Sequence, residues 1–265
     1  MGILNATPDS FSDGGNSFSL EQGVKNGFEM LDQGADIIDI GGESTRPGAD
    51  FISIDEECQR VVPLIKQLKS GRPDSIISID TRKSDVAREA IAAGADIVND
   101  VSGLQFSDDM IDVVAENGVG LMAMHMRGTP EAMQNPENLC YDNVVDDVMI
   151  AFEAIIKRVV DAKIPKEFLV LDPGIGFSKT YDQNIELIHG TSRLKSLGFP
   201  LLYGISRKSF IGQALNEENP NERLYGTLGA TAQLATMGVD FIRVHDVKAT
   251  QQMLTMFNIC GGDRC

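Results

Sequence analysis

The residues best placed for chemistry in this 265-residue chain sit singly at the ends of short apolar runs. Ile37-Ile38 leads into Asp39, Ile76-Ile77-Ser78-Ile79 into Asp80, and Leu169-Val170-Leu171 into Asp172. A buried carboxylate costs on the order of several kcal/mol unless it is paired. Each therefore either meets a neighbouring Arg or Lys, or reads a ligand edge carrying adjacent N–H and NH2 donors. Such an edge takes two parallel hydrogen bonds from a carboxylate, each about 1.5–3 kcal/mol when charge-assisted. Asn99, after Ile97-Val98, supplies a donor or an acceptor and suits a pyrimidine-like edge. Arg243 and His245 close the run Phe241 to Val244 and lie two apart, on one side of a strand. A cation pair facing one way wants an anion; the other reading pairs Arg243 with a carboxylate and holds His245 by hydrogen bonds. His125 ends a further run, Leu121 to Met124, as either a structural or a functional histidine, and His189 falls in a helical stretch as a surface residue.

The loops add further groups. The first, Asn5-Ala6-Thr7-Pro8-Asp9-Ser10-Phe11-Ser12-Asp13-Gly14-Gly15, carries an aromatic residue among turn formers with a carboxylate two positions on. That composition suits either a polar surface turn or a lid that closes over a ligand. In Gly41-Gly42-Glu43-Ser44-Thr45-Arg46-Pro47-Gly48 the glycines permit close backbone approach, and Arg46 offers a flat guanidinium for stacking or anion pairing. Ser206-Arg207-Lys208-Ser209 follows the run Leu201 to Ile205. No HExxH, Cys/His cluster or EF-hand loop is present. A magnesium ion carried in by a phosphate needs only one or two protein oxygens, and Asn5 can supply one.

Positioning these groups requires eight strands. The runs ending in Asn5, Asp39, Asp80, Asn99-Asp100, His125, Asp172, Ser206 and His245 have strand length, and helical patterns separate them. Alternation of this kind implies parallel strands, and eight units predict a closed (β/α)8 TIM barrel with its active site at the C-terminal strand ends. Apolar spacing predicts helices over 20–33, 55–69, 84–93, 108–116, 141–162, 182–197, 223–237 and 247–257. Several end in glycine, which tolerates the left-handed C-cap. The connections after strands are the long ones, over 6–19, 41–54 and 126–140, as expected of a barrel whose chemistry lies on one face. No linker or composition shift divides the chain, so a single domain over 1–265 is expected.

Composition narrows the function. Lys+Arg 23 against Asp+Glu 39 leaves a net charge of −16, which repels nucleic acid and anionic membranes. No apolar stretch reaches membrane-spanning length and no signal-peptide pattern opens the chain, so a cytoplasmic protein is expected. Cys58, Cys140, Cys260 and Cys265 lack CxxC spacing and read as reduced thiols.

Together the segments resemble the dihydropteroate synthase family of pterin-binding enzymes. The match runs through Gly2 to Asn5, Thr7 to Gly15, Gly41 to Gly48, Ile79-Asp80-Thr81, Asn99-Asp100 and Met124-His125-Met126. It continues through Asp172-Pro173-Gly174-Ile175-Gly176-Phe177, Ser206 to Ser209 and Arg243-Val244-His245-Asp246. The family condenses 6-hydroxymethyl-7,8-dihydropterin diphosphate with p-aminobenzoate, releasing diphosphate and 7,8-dihydropteroate in folate biosynthesis. The resemblance implies that Asp80, Asn99, Asp172 and Lys208 hold the pterin, and that Asn5, Arg243 and His245 hold the diphosphate. Asn5 would also touch Mg2+. Thr45, Arg46, Pro47, Phe177 and Ser209 would form the p-aminobenzoate site, with Phe11 lying over it. An SN1-like displacement is expected, in which Asp13 stabilises a cationic pterin and Lys208, Arg243 and His245 complete the catalytic set. Asp13→Asn should then lower turnover far more than pterin affinity. A homodimer and ordinary sensitivity to sulfonamides are further expectations.

Family members usually carry a short segment before the first strand. This chain starts at the strand itself, so that segment is expected to be missing. Two other readings exist. A methyltetrahydrofolate–corrinoid methyltransferase uses a related barrel but has no need of the diphosphate cations, or of Thr45-Arg46-Pro47-Gly48 and Ser206-Arg207-Lys208-Ser209. A non-catalytic pterin-binding protein would be favoured by loss of Lys208, Asp13 or Arg243, and all three are present.

Overall fold

A run of parallel strands buried on both faces closes into a barrel only if the last strand returns to the first, and in the computed structural model it does. Residues 1–7, 20–44 and 51–261 are described. The strands are β1 (Gly2–Asn5), β2 (Ile37–Gly41), β3 (Ile76–Asp80), β4 (Ile97–Asp100), β5 (Gly120–Met124), β6 (Leu169–Asp172), β7 (Leu202–Tyr203) and β8 (Phe241–Ile242). β1 to β6 form one parallel sheet in chain order, and β7 pairs with β8. Two single bridges complete the ring: Leu171 to Leu201 joins β6 to β7, and Gly2 to Val244 joins β8 to β1. At the second seam Ile3 donates to the Val244 carbonyl at 2.9 Å and Val244 to the Met1 carbonyl at 3.0 Å. The expected (β/α)8 barrel is the observed architecture.

The helices are α1 (Leu20–Asp32), α2 (Ile54–Gly71), α3 (Ser84–Ala92), α4 (Met110–Asn117), α5 (Val144–Asp161), α6 (Tyr181–His189), α7 (Thr191–Lys195), α8 (Ser209–Leu215), α9 (Leu224–Thr236) and α10 (Val247–Gly261). Local chemistry fixes their ends. Ser53 Oγ accepts from Glu56 N–H at 3.1 Å to start α2, and Thr180 with Gln183 forms a reciprocal capping box on α6. Gly118, at φ 62°, closes α4 in the left-handed conformation that glycine tolerates best. Gly71, by contrast, remains inside α2, and Arg72 takes the cap by donating to Leu68 O at 2.8 Å.

One expected helix, over 182–197, is broken at Gly190. A Cβ there would lie 2.7 Å from Val145 Cγ2, so only glycine lets this segment pack against α5. Helix α8 is not among the helices expected from apolar spacing, since its seven residues are too few to display a helical period.

Burial separates two cores along the alternation of each strand. Ile38, Ile40, Ile77, Ile79, Val98, Leu121 and Leu171 face outward and pack with Leu64, Leu68, Val148 and Phe152 from the helices. Inside the barrel, Ile37, Met122, Val170 and Leu202 form an apolar layer with Ile97 and Phe241. Most of the next inward positions that carry a side chain are polar, Asp39, Ser78, Asn99, Asp172 and Arg243, while Met124 is apolar. The barrel therefore turns from oil to charge one step below its C-terminal mouth.

Candidate active site

The mouth is assembled by strand register. Asn5 pairs with Gly41, Gly41 with Asp80, Asp80 with Asn99, and Met124 with Asp172. Asp80 and Asn99 are therefore next to each other on adjoining strands. Glycine at 41 keeps the space beside Asp80 open, since a Cβ there would touch Asp80 at 3.7 Å. Gly204 does the same where a Cβ would lie 3.9 Å from both Asp172 Oδ2 and Arg243 Cδ.

Arg243 is the hub. Its Nε donates to Asp39 Oδ2 at 2.5 Å and one Nη to Asp80 Oδ2 at 2.6 Å. Asn99 Nδ2 donates to the same Asp39 oxygen at 3.2 Å. Asp39, which the sequence left without a secure role, is fully buried and anchors the guanidinium. The pairing that the sequence offered as the alternative for Arg243 is thus present in this state.

Burial works against the charge on Arg243, but Asp39 and Asp80 outweigh it and hold its pKa above the usual arginine value. Asp80 is pushed up to about 7: burial and the nearby Asp39 charge outweigh the pull of Arg243. The second oxygens of Asp39 and Asp80 have no partner among the described residues. An unpaired buried carboxylate oxygen is an unmet acceptor that a ligand donor would satisfy.

Opposite stands Asp172. Its Oδ1 accepts from Gly174 N–H at 2.7 Å, and burial raises its pKa against the pull of Lys208. Lys208 donates from Nζ to the Ile175 carbonyl and sits 4.3 Å from the centre of the Phe177 ring. Burial lowers this amine to about 8, with Asp172 opposing the fall. His245 Nδ1 lies 2.9 Å from Ser206 Oγ. Ser209 opens α8 directly after Lys208.

Asn5, Asp80, Asn99, Asp172, Phe177, Lys208, Ser209, Arg243 and His245 all lie at or just beyond the C-terminal ends of strands. Phe11, Asp13, Thr45, Arg46 and Pro47 lie outside the described residues. Among the described residues no group of three or more His, Cys, Asp or Glu could hold a metal, and Cys58, Cys140 and Cys260 are free thiols.

Sequence reasoning missed several supports. Arg207, held at φ 59°, grips Asp246 with two hydrogen bonds at 2.9 and 2.6 Å and so ties the Lys208 loop to the end of β8. Lys83 Nζ donates to Glu57 at 2.6 Å, Glu43 at 2.9 Å and the Ile52 carbonyl at 2.8 Å. Burial raises the pKa of Glu57 despite Lys83. The signal for Lys83 was its place three residues beyond Asp80, in a segment otherwise read only for its carboxylate. His125 is buried against Lys179, another residue the pattern did not single out.

With this barrel and this mouth the chain belongs to the pterin-binding enzymes: the family model described as pterin binding enzyme matches residues 1–245. The particular relatives are dihydropteroate synthases. The dihydropteroate synthase of Synechocystis is 46% identical over 253 residues, 96% of this chain and 86% of that protein. The crystal structure of the dihydropteroate synthase from Clostridium difficile in the presence of pteroic acid has a TM-score of 0.90 at 43% identity, covering 98% of this chain and 95% of that one. That from Xanthomonas albilineans with 4-aminobenzoic acid has a TM-score of 0.92 at 40% identity, covering 99% and 92%.

Proposed function

We infer that the chain condenses 6-hydroxymethyl-7,8-dihydropterin diphosphate with p-aminobenzoate to give 7,8-dihydropteroate and diphosphate. The observation that carries this reading is one mouth lined by Asp80, Asn99, Asp172 and Lys208, in a chain that matches dihydropteroate synthases along nearly its whole length. Asp172 and Asn99 offer oxygens to the donor edge of the pterin, and the unpartnered Asp80 oxygen offers another. Lys208, already turned to a carbonyl and an aromatic face, can also donate to a pterin acceptor.

The diphosphate would meet Arg243, His245 and Asn5. Arg243 engages Asp39 and Asp80 through two of its nitrogens, which leaves its other Nη for an anion. Magnesium fits as the counter-ion of that diphosphate. Asn5 presents one half-buried amide at the mouth, and an ion that keeps phosphate oxygens and waters needs no more than one or two protein ligands. When bound it would offset charge on the departing diphosphate. Breaking the C–O bond releases diphosphate from the electron-rich dihydropterin and leaves a cation that Asp13 stabilises; the aminobenzoate nitrogen then attacks, forming the C–N bond and giving up one proton to solvent. Phe177 and Ser209, with Phe11, Thr45, Arg46 and Pro47, form the aminobenzoate pocket, which a sulfonamide would share. We place the enzyme in the cytoplasm as a homodimer and a single domain. No helix among the described residues is long and apolar enough to cross a membrane.

The test is direct. Purified protein with Mg2+, the pterin diphosphate and labelled p-aminobenzoate should yield labelled dihydropteroate. A folded sample that makes none would remove the reading. Methyl transfer from methyltetrahydrofolate to a corrinoid protein would replace it.

A further inference from the structure

The loop between β6 and α6 carries Phe177, yet the main chain there has little regular structure of its own. Its shape is set by side chains. Gly174 N–H donates to Asp172, Gly176 N–H to Asn184 Oδ1 at 2.6 Å, and Lys208 to the Ile175 carbonyl. The last of these ties is Lys179, a buried residue. Its Nζ reaches the Phe177 carbonyl at 2.9 Å, His125 Nδ1 at 3.0 Å and the His125 carbonyl at 3.3 Å. A lysine ammonium has three donors, and three acceptors surround this one.

These contacts join two loops. His125 follows β5, and its N–H donates to the Asp172 carbonyl at 2.9 Å. Two residues later Arg127 N–H donates to Ser178 Oγ at 3.1 Å, and Ser178 Oγ returns a bond to the Arg127 carbonyl at 2.6 Å. Packing is tight enough that a Cβ on Gly174 would lie 2.0 Å from the His125 carbonyl and 3.3 Å from Lys179 Nζ. Phe177 comes out of this junction against Val101, Met124, Met126 and Met133 on one side, with the Lys208 ammonium 4.3 Å from its ring centre.

We propose that Lys179 is a positioning residue for the p-aminobenzoate half of the site: by bonding the Phe177 carbonyl and His125 together it fixes where the Phe177 ring stands. His125 is then its buttress and not a proton carrier. The groups facing the His125–Lys179 pair agree with this. Burial, then Lys179 and Arg127, drive the imidazole pKa down to about 2, so His125 stays uncharged. Burial lowers the Lys179 pKa well below the ordinary lysine value; Asp172 opposes that fall, and Lys208 and Arg127 add to it, so the pair is held by the geometry of its hydrogen bonds and not by charge. The Tyr141 ring, 6.1 Å from the imidazole, closes the remaining side.

The inference rests on the dihydropteroate synthase reading, and the test separates the two. In wild-type protein, turnover tests the reaction itself. In Lys179→Met, the KM for p-aminobenzoate should rise about tenfold, with kcat and the KM for pterin diphosphate changing less than about threefold. Phe177→Ala should raise the same KM, and the double variant should be little worse than Phe177→Ala alone, because one residue acts through the other. His125→Asn, which keeps an acceptor near the Nδ1 position, should restore most of what His125→Leu loses. If Lys179→Met does not accumulate as folded protein, Lys179→Gln, with two donors, carries the same comparison. A readout free of turnover is the nitrogen spectrum of histidine-labelled protein, in which His125 should show no titration between pH 5 and 8. Equal rises in both KM values, additive effects of Lys179→Met and Phe177→Ala, or a titrating His125 would each overturn the proposal.

Discussion

The raised Asp80 carboxyl makes pterin affinity depend on pH in a range where an ordinary aspartate would be silent. The group sits between Arg243 and the like charge of Asp39, and burial pushes it up to about 7. A pterin donor edge needs the ionised form. With a pKa of about 7, roughly 3% of Asp80 is ionised at pH 5.5 and roughly 76% at pH 7.5, so affinity should rise roughly 25-fold across that interval, whereas an ordinary aspartate near 3.9 would give almost no change. The assay is calorimetric titration with 6-hydroxymethylpterin, which lacks the diphosphate and so removes its ionisation from the result. Asp39→Asn is the matched perturbation. It removes the charge that raises Asp80 and leaves Arg243 to act on Asp80 alone, so the midpoint should move to lower pH and the profile should flatten above pH 6. In the unliganded protein the same shift works on folding. Stability falls as pH climbs from about 4 to about 7, because the folded state retains a proton that the unfolded chain has released. A wild-type affinity that is flat from pH 5.5 to 7.5, or a midpoint in Asp39→Asn that stays put or rises, would refute the reasoning.

Lys83→Met should strand Glu57, which is fully buried, and cost about 3–5 kcal/mol at pH 8. Because burial pushes the Glu57 pKa up, the loss should be smaller at pH 5 than at pH 8; urea denaturation showing equal losses at both would count against the paired charge. Phe152→Ala empties a fully buried position on α5, with an expected cost of about 3–5 kcal/mol and a fall in Tm on the order of 10 °C. Calorimetry showing a fall of only a degree or two would mean the helix layer relaxes around the gap. Gly174→Ala meets both a φ of 71° and the His125 carbonyl. It should unfold or inactivate the protein, and a variant with wild-type Tm and turnover would show that the β6 loop can shift freely.

The fold was legible because strand and helix periods leave different marks, and because polar residues ended apolar runs in a repeating order. The short α8 and the break at Gly190 were not, since a seven-residue helix shows no period and Gly190 answers to Val145, 45 positions away. In the site, Asp80, Asn99 and Asp172 stood out as strand endings. Asp39 stood out equally but without a task, because its partner Arg243 is 204 residues distant and no local pattern links them. Lys83, Lys179 and Arg207 were hidden for a related reason. A lysine in a polar loop looks like surface until the fold shows which carbonyls and carboxylates enclose it.

The seam between β8 and β1 also sets an order of events. The Met1 nitrogen bonds the Ile242 carbonyl, 241 residues along the chain, and Ile3 takes its partner from Val244. On a ribosome adding about 5–20 residues per second, the free edge of β1 waits roughly 12–48 s for that partner. Throughout that time β2 to β6 can assemble on the other side of β1 into a curved sheet with two uncovered margins, at β1 and at β6, edges of the kind that invite pairing with another chain. The barrel is thus least protected just before it is complete, and changes at Gly2, Ile3 or Val244 would be felt first in the yield of folded protein and only afterwards in catalysis.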